Sequence, residues 1–250
     1  MQSVGSARTI RLALLVSGLI ACIPAQFGGV AKAEPITTVD IFSLPGMGSN
    51  NISAYGNTNV SILVSPAWAV PSSSQYGWIS YTQTGCDTFD AASGRCTPDA
   101  NSPPGTTVSG PATATFYQPF TLTTASSGYL DVWADDTAAV YLVSGNVNTG
   151  DGTSGTLLMA ANPNPGPNCA SGPIGCLSST GGDITFDDLQ PGTYTVVIDA
   201  YQYLGGTPFG IMYDGELSNG TNVTPEPASY MLMALGLGCL GTFIRRRKKA

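Results

Sequence analysis

The chain has 250 residues, with nine lysines and arginines, 16 aspartates and glutamates and no histidine, for a formal net charge of −7. Without imidazole, His-dependent triads, the usual catalytic zinc spheres and imidazole acid–base chemistry are excluded. The charge is unevenly placed: residues 34–224 hold 15 acids against Arg95 alone, a balance of about −14, and such a surface repels phosphate backbones, which excludes nucleic acid as a partner.

The first 33 residues read as an export signal. Arg8 and Arg11 form a charged start, and the run from Leu12 to Ala21 is an apolar segment of signal-peptide length. Ala31-Lys32-Ala33 fits the small-x-small cleavage pattern and makes Glu34 the expected mature start, with cleavage after Ala25 as an alternative. Leu19-Ile20-Ala21-Cys22 also resembles a lipoprotein lipobox, in which Cys22 would be acylated.

Residues 34–217 read as one exported domain, a length that supports a sizeable core. Gly and Pro together make 49 of the 250 residues, and turn residues recur every ten or so positions, the punctuation of an all-β domain. Strands are expected over 60–64, 78–82, 113–117, 120–123, 129–134, 139–143, 157–160, 184–186, 194–203 and 209–213. In 194–200, Tyr194, Val196, Ile198 and Ala200 alternate with Thr195, Val197 and Asp199; in 129–134, Leu130, Val132 and Ala134 take one face and Tyr129, Asp131 and Trp133 the other. About eight to ten short strands in one domain point to a single β-sandwich of jelly-roll type.

Four cysteines lie in this region, Cys86, Cys96, Cys169 and Cys176, an even number in an exported chain and therefore an expected disulfide set. Three pairings are formally possible, and the short spacings favour Cys86–Cys96 and Cys169–Cys176, each amid turn residues. Asp135-Asp136 ends a strand, with Asp183, Asp187, Asp188 and Asp214 near other strand ends; clustered carboxylates and loop carbonyls are how Ca²⁺ is held, so Asp135 and Asp136 are the candidate metal ligands, for a structural calcium and no other cofactor. Sugar binding needs an aromatic face and polar groups to orient hydroxyls, and Trp68, Trp78, Trp133, Tyr76, Tyr81, Tyr201 and Tyr203 are available. Trp133, with Tyr201 and Tyr203 two apart on one strand face, is the candidate platform. The succession of Phe120-Thr121-Leu122, the 130–136 strand, Ala139-Val140-Tyr141-Leu142, Leu189-Gln190-Pro191-Gly192 and Gly205-Gly206-Thr207-Pro208-Phe209 resembles the galactose-binding-like or lectin-like sandwiches of exported bacterial proteins, over residues 106–217.

A polar spacer, 218–224, leads to Pro225-Glu226-Pro227. Then come 17 residues without a formal charge, 228–244, and the bases Arg245, Arg246, Arg247, Lys248 and Lys249. As a helix the apolar run would span roughly 25 Å, a little short of the ~30 Å hydrocarbon core, with the arginines snorkelling at its end. The basic flank places the C-terminus inside. This order of motif, helix and bases resembles the PEP-CTERM sorting signal of Gram-negative bacteria. The resemblance implies that Pro225, Glu226 and Pro227 are recognised by exosortase, that Arg245, Arg246 and Arg247 close the transmembrane segment, and that 225–250 is removed after export; a permanent anchor is the alternative. The expectation is an exported, non-enzymatic protein of the cell surface or extracellular matrix with a structural or adhesive role. A carbohydrate-binding module for exopolysaccharide is the second reading and an aspartate-based glycan hydrolase the third.

Overall fold

A computed structural model describes residues 36–45, 51–52, 59–90, 93, 95–166, 169, 171–203 and 205–220. The signal peptide with Cys22, the transmembrane helix 228–244 and the sorting residues Pro225, Glu226, Pro227, Arg245, Arg246 and Arg247 lie outside the described residues. Among the described residues no helix is long and apolar enough to cross a membrane.

Thirteen strands are described, β1 Thr38–Phe42, β2 Asn51–Ile52, β3 Val60–Ser61, β4 Ile79–Ser80, β5 Cys86–Asp90, β6 Arg95–Pro98, β7 Ala114–Leu122, β8 Ser126–Asp135, β9 Thr137–Ser144, β10 Thr156–Met159, β11 Gly182–Leu189, β12 Gly192–Tyr201 and β13 Gly210–Ser218. One antiparallel sheet runs β11-β8-β13-β4-β3, with β1 also paired along β13; the second runs β10-β9-β12-β7-β2, and β5–β6 is a separate hairpin. Successive strands from β7 to β9 and from β10 to β13 switch sheets, so each connection crosses an end of the sandwich.

The period of two in the sequence sets which face is dry. Leu130, Val132 and Ala134 of β8, with Ile184 and Phe186 of β11 and Ile211 and Leu217 of β13, meet Phe116, Phe120 and Leu122 of β7, Val140 of β9 and Val196, Ile198 and Ala200 of β12 in one core. Burying each such side chain stabilises by roughly 1.5–3 kcal/mol. The expected interruption between 117 and 120 is absent, because β7 runs through Pro119. On one side β7 pairs with β12 throughout, and on the other β2 meets only Tyr117 and Phe116, so Pro119 has an open flank where its missing N–H costs no ladder bond.

Both outer faces are partly covered. Outside the β12 sheet, the 147–155 loop lies over Tyr117, Val143 and Val197: Val147 N–H donates to Thr195 Oγ1 at 3.0 Å, and the Tyr117 hydroxyl donates to Gly150 O. Gly152 sits so close to Tyr141 that a Cβ there would lie 2.1 Å from the ring, which only glycine allows. Outside the β8 sheet, Ile62, Trp68, Ala69, Tyr76 and Trp78 form a second core with Met212 and the Cys169–Cys176 bridge. Trp78 Nε1 donates to Ala69 O at 2.8 Å, Ala69 N–H to Cys176 O at 2.7 Å, and the Trp68 and Trp78 rings tilt together at 4.5 Å.

Candidate ligand cavity

β8 belongs to one sheet and β9 to the other, and Asp136 is the single residue between them. Its backbone N–H donates to Tyr201 O at 3.1 Å, and its Oδ2 accepts the Tyr203 N–H at 2.7 Å, which ties the crossing to the end of β12. Asp135, the last residue of β8, follows the outward alternation of Asp131 and Trp133, but the covering loops have closed over it. Asp135 and Asp136 are 5% and 2% exposed, far from the solvated strand-end acids that their sequence position alone describes.

Burial pushes the Asp135 carboxyl well above the usual carboxylate range, and the charge of Asp136 and a hydrogen bond to it push in the same direction. Together the two carboxyls floor a cavity of about 520 Å³ whose walls include Trp68, Arg95, Cys96, Leu177 and Pro208. Arg95 is the one cation between Glu34 and Thr224, and it lines the same cavity as the buried Asp135 and Asp136.

The candidate calcium ligands fit a metal poorly. Asp135 lies with the Cys169 and Cys176 sulfurs within 4.8 Å of one another, yet those sulfurs are bonded as a disulfide, and Ca²⁺ takes six to eight oxygens. Nor do the other strand-end acids converge on the pair. Asp183 and Asp214 flank Asp131 directly across β11, β8 and β13, four residues from Asp135 and about 13 Å along the strand, while Asp187 and Asp188 are exposed on the far half of β11. That Asp183–Asp131–Asp214 row places like charges opposite one another. Burial first, and then the neighbouring Asp183 and Asp214, push Asp131 up to about 6.

The expected aromatic platform is not assembled. Trp133 is on the outer face of β8, opposite Met212 and half-covered by the second core, its indole Nε1 without a hydrogen-bond partner where a Cβ on Gly181 would lie 2.5 Å away. Tyr201 is buried on the other sheet, at the end of β12, so alternation puts these two rings on opposite outer faces of the sandwich. Tyr203 lies beyond the strand, 37% exposed, and shares no strand face with Tyr201. The aromatic at the cavity is Trp68, one of the available rings, brought there by the second core. No periodic signal in 62–78 marks that role.

Both expected disulfides are formed, Cys86–Cys96 and Cys169–Cys176, each with Cα atoms 5.3 Å apart, inside the range the bond requires. The first ties the two strands of the β5–β6 hairpin, and each bridge contributes a cysteine to the cavity wall.

Fold and geometry define an all-β, disulfide-stapled sandwich with a cavity at one end. Residues 223–248 match the family model of the PEP-CTERM protein-sorting motif, so the chain carries that motif at its C-terminus, and proteins with it are exported and processed by exosortase. No curated protein matches the chain significantly. Among solved structures, the native family 35 carbohydrate-binding module from Clostridium thermocellum is similar at 8% identity and a TM-score of 0.32, covering 71% of this chain and 97% of the module. At that TM-score the likeness carries no argument about ligand.

Proposed function

We propose that this chain is an exported, non-enzymatic protein that acts as a structural or adhesive element at the cell surface or in the extracellular matrix of a Gram-negative bacterium. Its working part is 34–217, a jelly-roll sandwich; 1–33 and 225–250 are processing segments, with a membrane-anchored intermediate between them. The strand orders β11-β8-β13-β1 and β10-β9-β12-β7 support the jelly roll, since they are the nested pairing of eight strands split between two sheets.

The observation that carries the reading is the placement of the sorting motif behind an acidic domain. Removal of the two end segments takes eight of the nine bases with it and leaves about −14 on the exported part. The basic cluster then gives topology and is no binding patch. A net charge of this size keeps a secreted domain soluble and apart from its own copies. Intact-mass spectrometry of the extracellular form tests it: the expected species starts near Glu34 and lacks 228–250, and an intact apolar tail in that material overturns the processing.

A second reading, recognition of an extracellular polysaccharide, is favoured by the cavity with its buried carboxyls. The hydrolase reading is not favoured, because a glycosidase pair stands about 5–9.5 Å apart with the sugar between, whereas Asp135 and Asp136 are hydrogen-bonded neighbours on one strand end.

A further inference from the structure

We infer that the cavity between the β8–β9 crossing and the β6 strand is a binding site for an uncharged, hydroxyl-rich ligand, a neutral oligosaccharide, with Asp135 and Asp136 meeting its hydroxyls, Arg95 at the wall and Trp68 as an apolar side. This rests on the polysaccharide reading above and gives it a location.

A buried polar group without partners costs roughly 1–3 kcal/mol, so folded chains place few of them. Asp135, 5% exposed, lines the cavity and is hydrogen-bonded to another acid, the carboxyl of Asp136. Nothing in the packing demands an acid there. The fold instead keeps two hydrogen-bonded carboxyls at the floor of a space within the ~300–1,000 Å³ usual for small-molecule sites.

The chemistry of the walls selects the ligand class. Two carboxyls and a domain with 15 acids disfavour an anion. Arg95 on the same wall disfavours a simple cation, and the cystine sulfurs replace oxygens that a hard metal would need. What remains is a ligand that both donates and accepts hydrogen bonds and also has an apolar face. Saccharide rings have those properties: hydroxyls for the carboxyls and the guanidinium, and C–H faces for Trp68, Leu177 and Pro208.

The test uses the full-length chain in detergent, titrated calorimetrically with neutral gluco-, manno- and galacto-oligosaccharides and with N-acetylglucosamine tetramers, beside Asp135→Ala and the exposed Arg95→Ala. The expected result is binding of at least one neutral oligosaccharide, weakened tenfold or more by Asp135→Ala and threefold or more by Arg95→Ala, with no change on adding a calcium chelator. Undiminished binding in both variants overturns the cavity and leaves polysaccharide recognition standing. No binding by the unaltered chain overturns both, without touching the sorting route. Binding of uronate oligosaccharides alone, or a calcium-induced rise in melting temperature that Asp135→Ala abolishes, overturns the ligand class. Should Asp135→Ala not fold, Arg95→Ala decides.

Discussion

Asp199 and Asp135 are both buried carboxylates that alternation directs to the outer faces of opposite sheets, and their surroundings differ completely. Asp199, under the 147–155 loop, accepts from Thr115 Oγ1 at 2.7 Å and from Gly152 N–H at 3.1 Å. Burial raises its pKa, while those two donors pull it back. Asp135 has burial and Asp136 pushing one way and no donor pulling the other. One carboxylate is a fastener that ties a loop to a sheet. The other is held in reserve for something outside the chain.

The largest expected effect separates the two directly. Asp199→Ala strands the Thr115 hydroxyl and the Gly152 N–H, and should cost about 2–4 kcal/mol in urea unfolding, whereas Asp135→Ala relieves a repulsive pair and should change stability by less than about 1 kcal/mol. Equal losses would make Asp135 a fastener too. Next in size, replacing Cys169 and Cys176 by alanine releases a short loop and should cost about 2–3 kcal/mol while loosening the cavity wall, read as a lower denaturation midpoint and weaker oligosaccharide binding.

A smaller effect concerns pH. The folded-state pKa of Asp131 is about 6 against an ordinary 3.8, so the folded chain holds more protons between those values. Its contribution to stability is fully present below about pH 4 and is lost as pH rises through about 6; Asp135, Asp199 and Asp214 are shifted in the same direction. The melting temperature should therefore be higher at pH 5 than at pH 7.5, and Asp131→Asn should narrow that gap. A melting temperature that rises with pH over this interval would contradict it. The smallest effect is expected at Tyr203, whose exposed ring leaves its backbone N–H to serve Asp136: Tyr203→Ala should stay within about 0.5 kcal/mol.

The central strands were legible because alternation is local: Leu130-Val132-Ala134 and Val196-Ile198-Ala200 name their own faces. The far half of β13 was not. The expected strand stops at 213, yet Gly215 continues it, and a Cβ there would lie 2.6 Å from Tyr129 O. β1 is short, and the β5–β6 hairpin is short and polar; they depend on pairing with β13 and on the Cys86–Cys96 bridge. The pair Asp135-Asp136 was visible as a strand end, but its burial was not, since the loops that cover it, 62–78 and 169–177, show no period. For the same reason Trp133, Tyr201 and Tyr203 looked like a platform while Trp68 supplied the ring.

The division of labour between the two carboxylates is tested most directly by following their ¹³Cγ resonances during titration with the neutral oligosaccharide that binds most tightly. The expected result is that Asp135 and Asp136 shift with saturation while Asp199 stays still. Movement of Asp199 alone, or no movement at any of the three as the ligand binds, would contradict it.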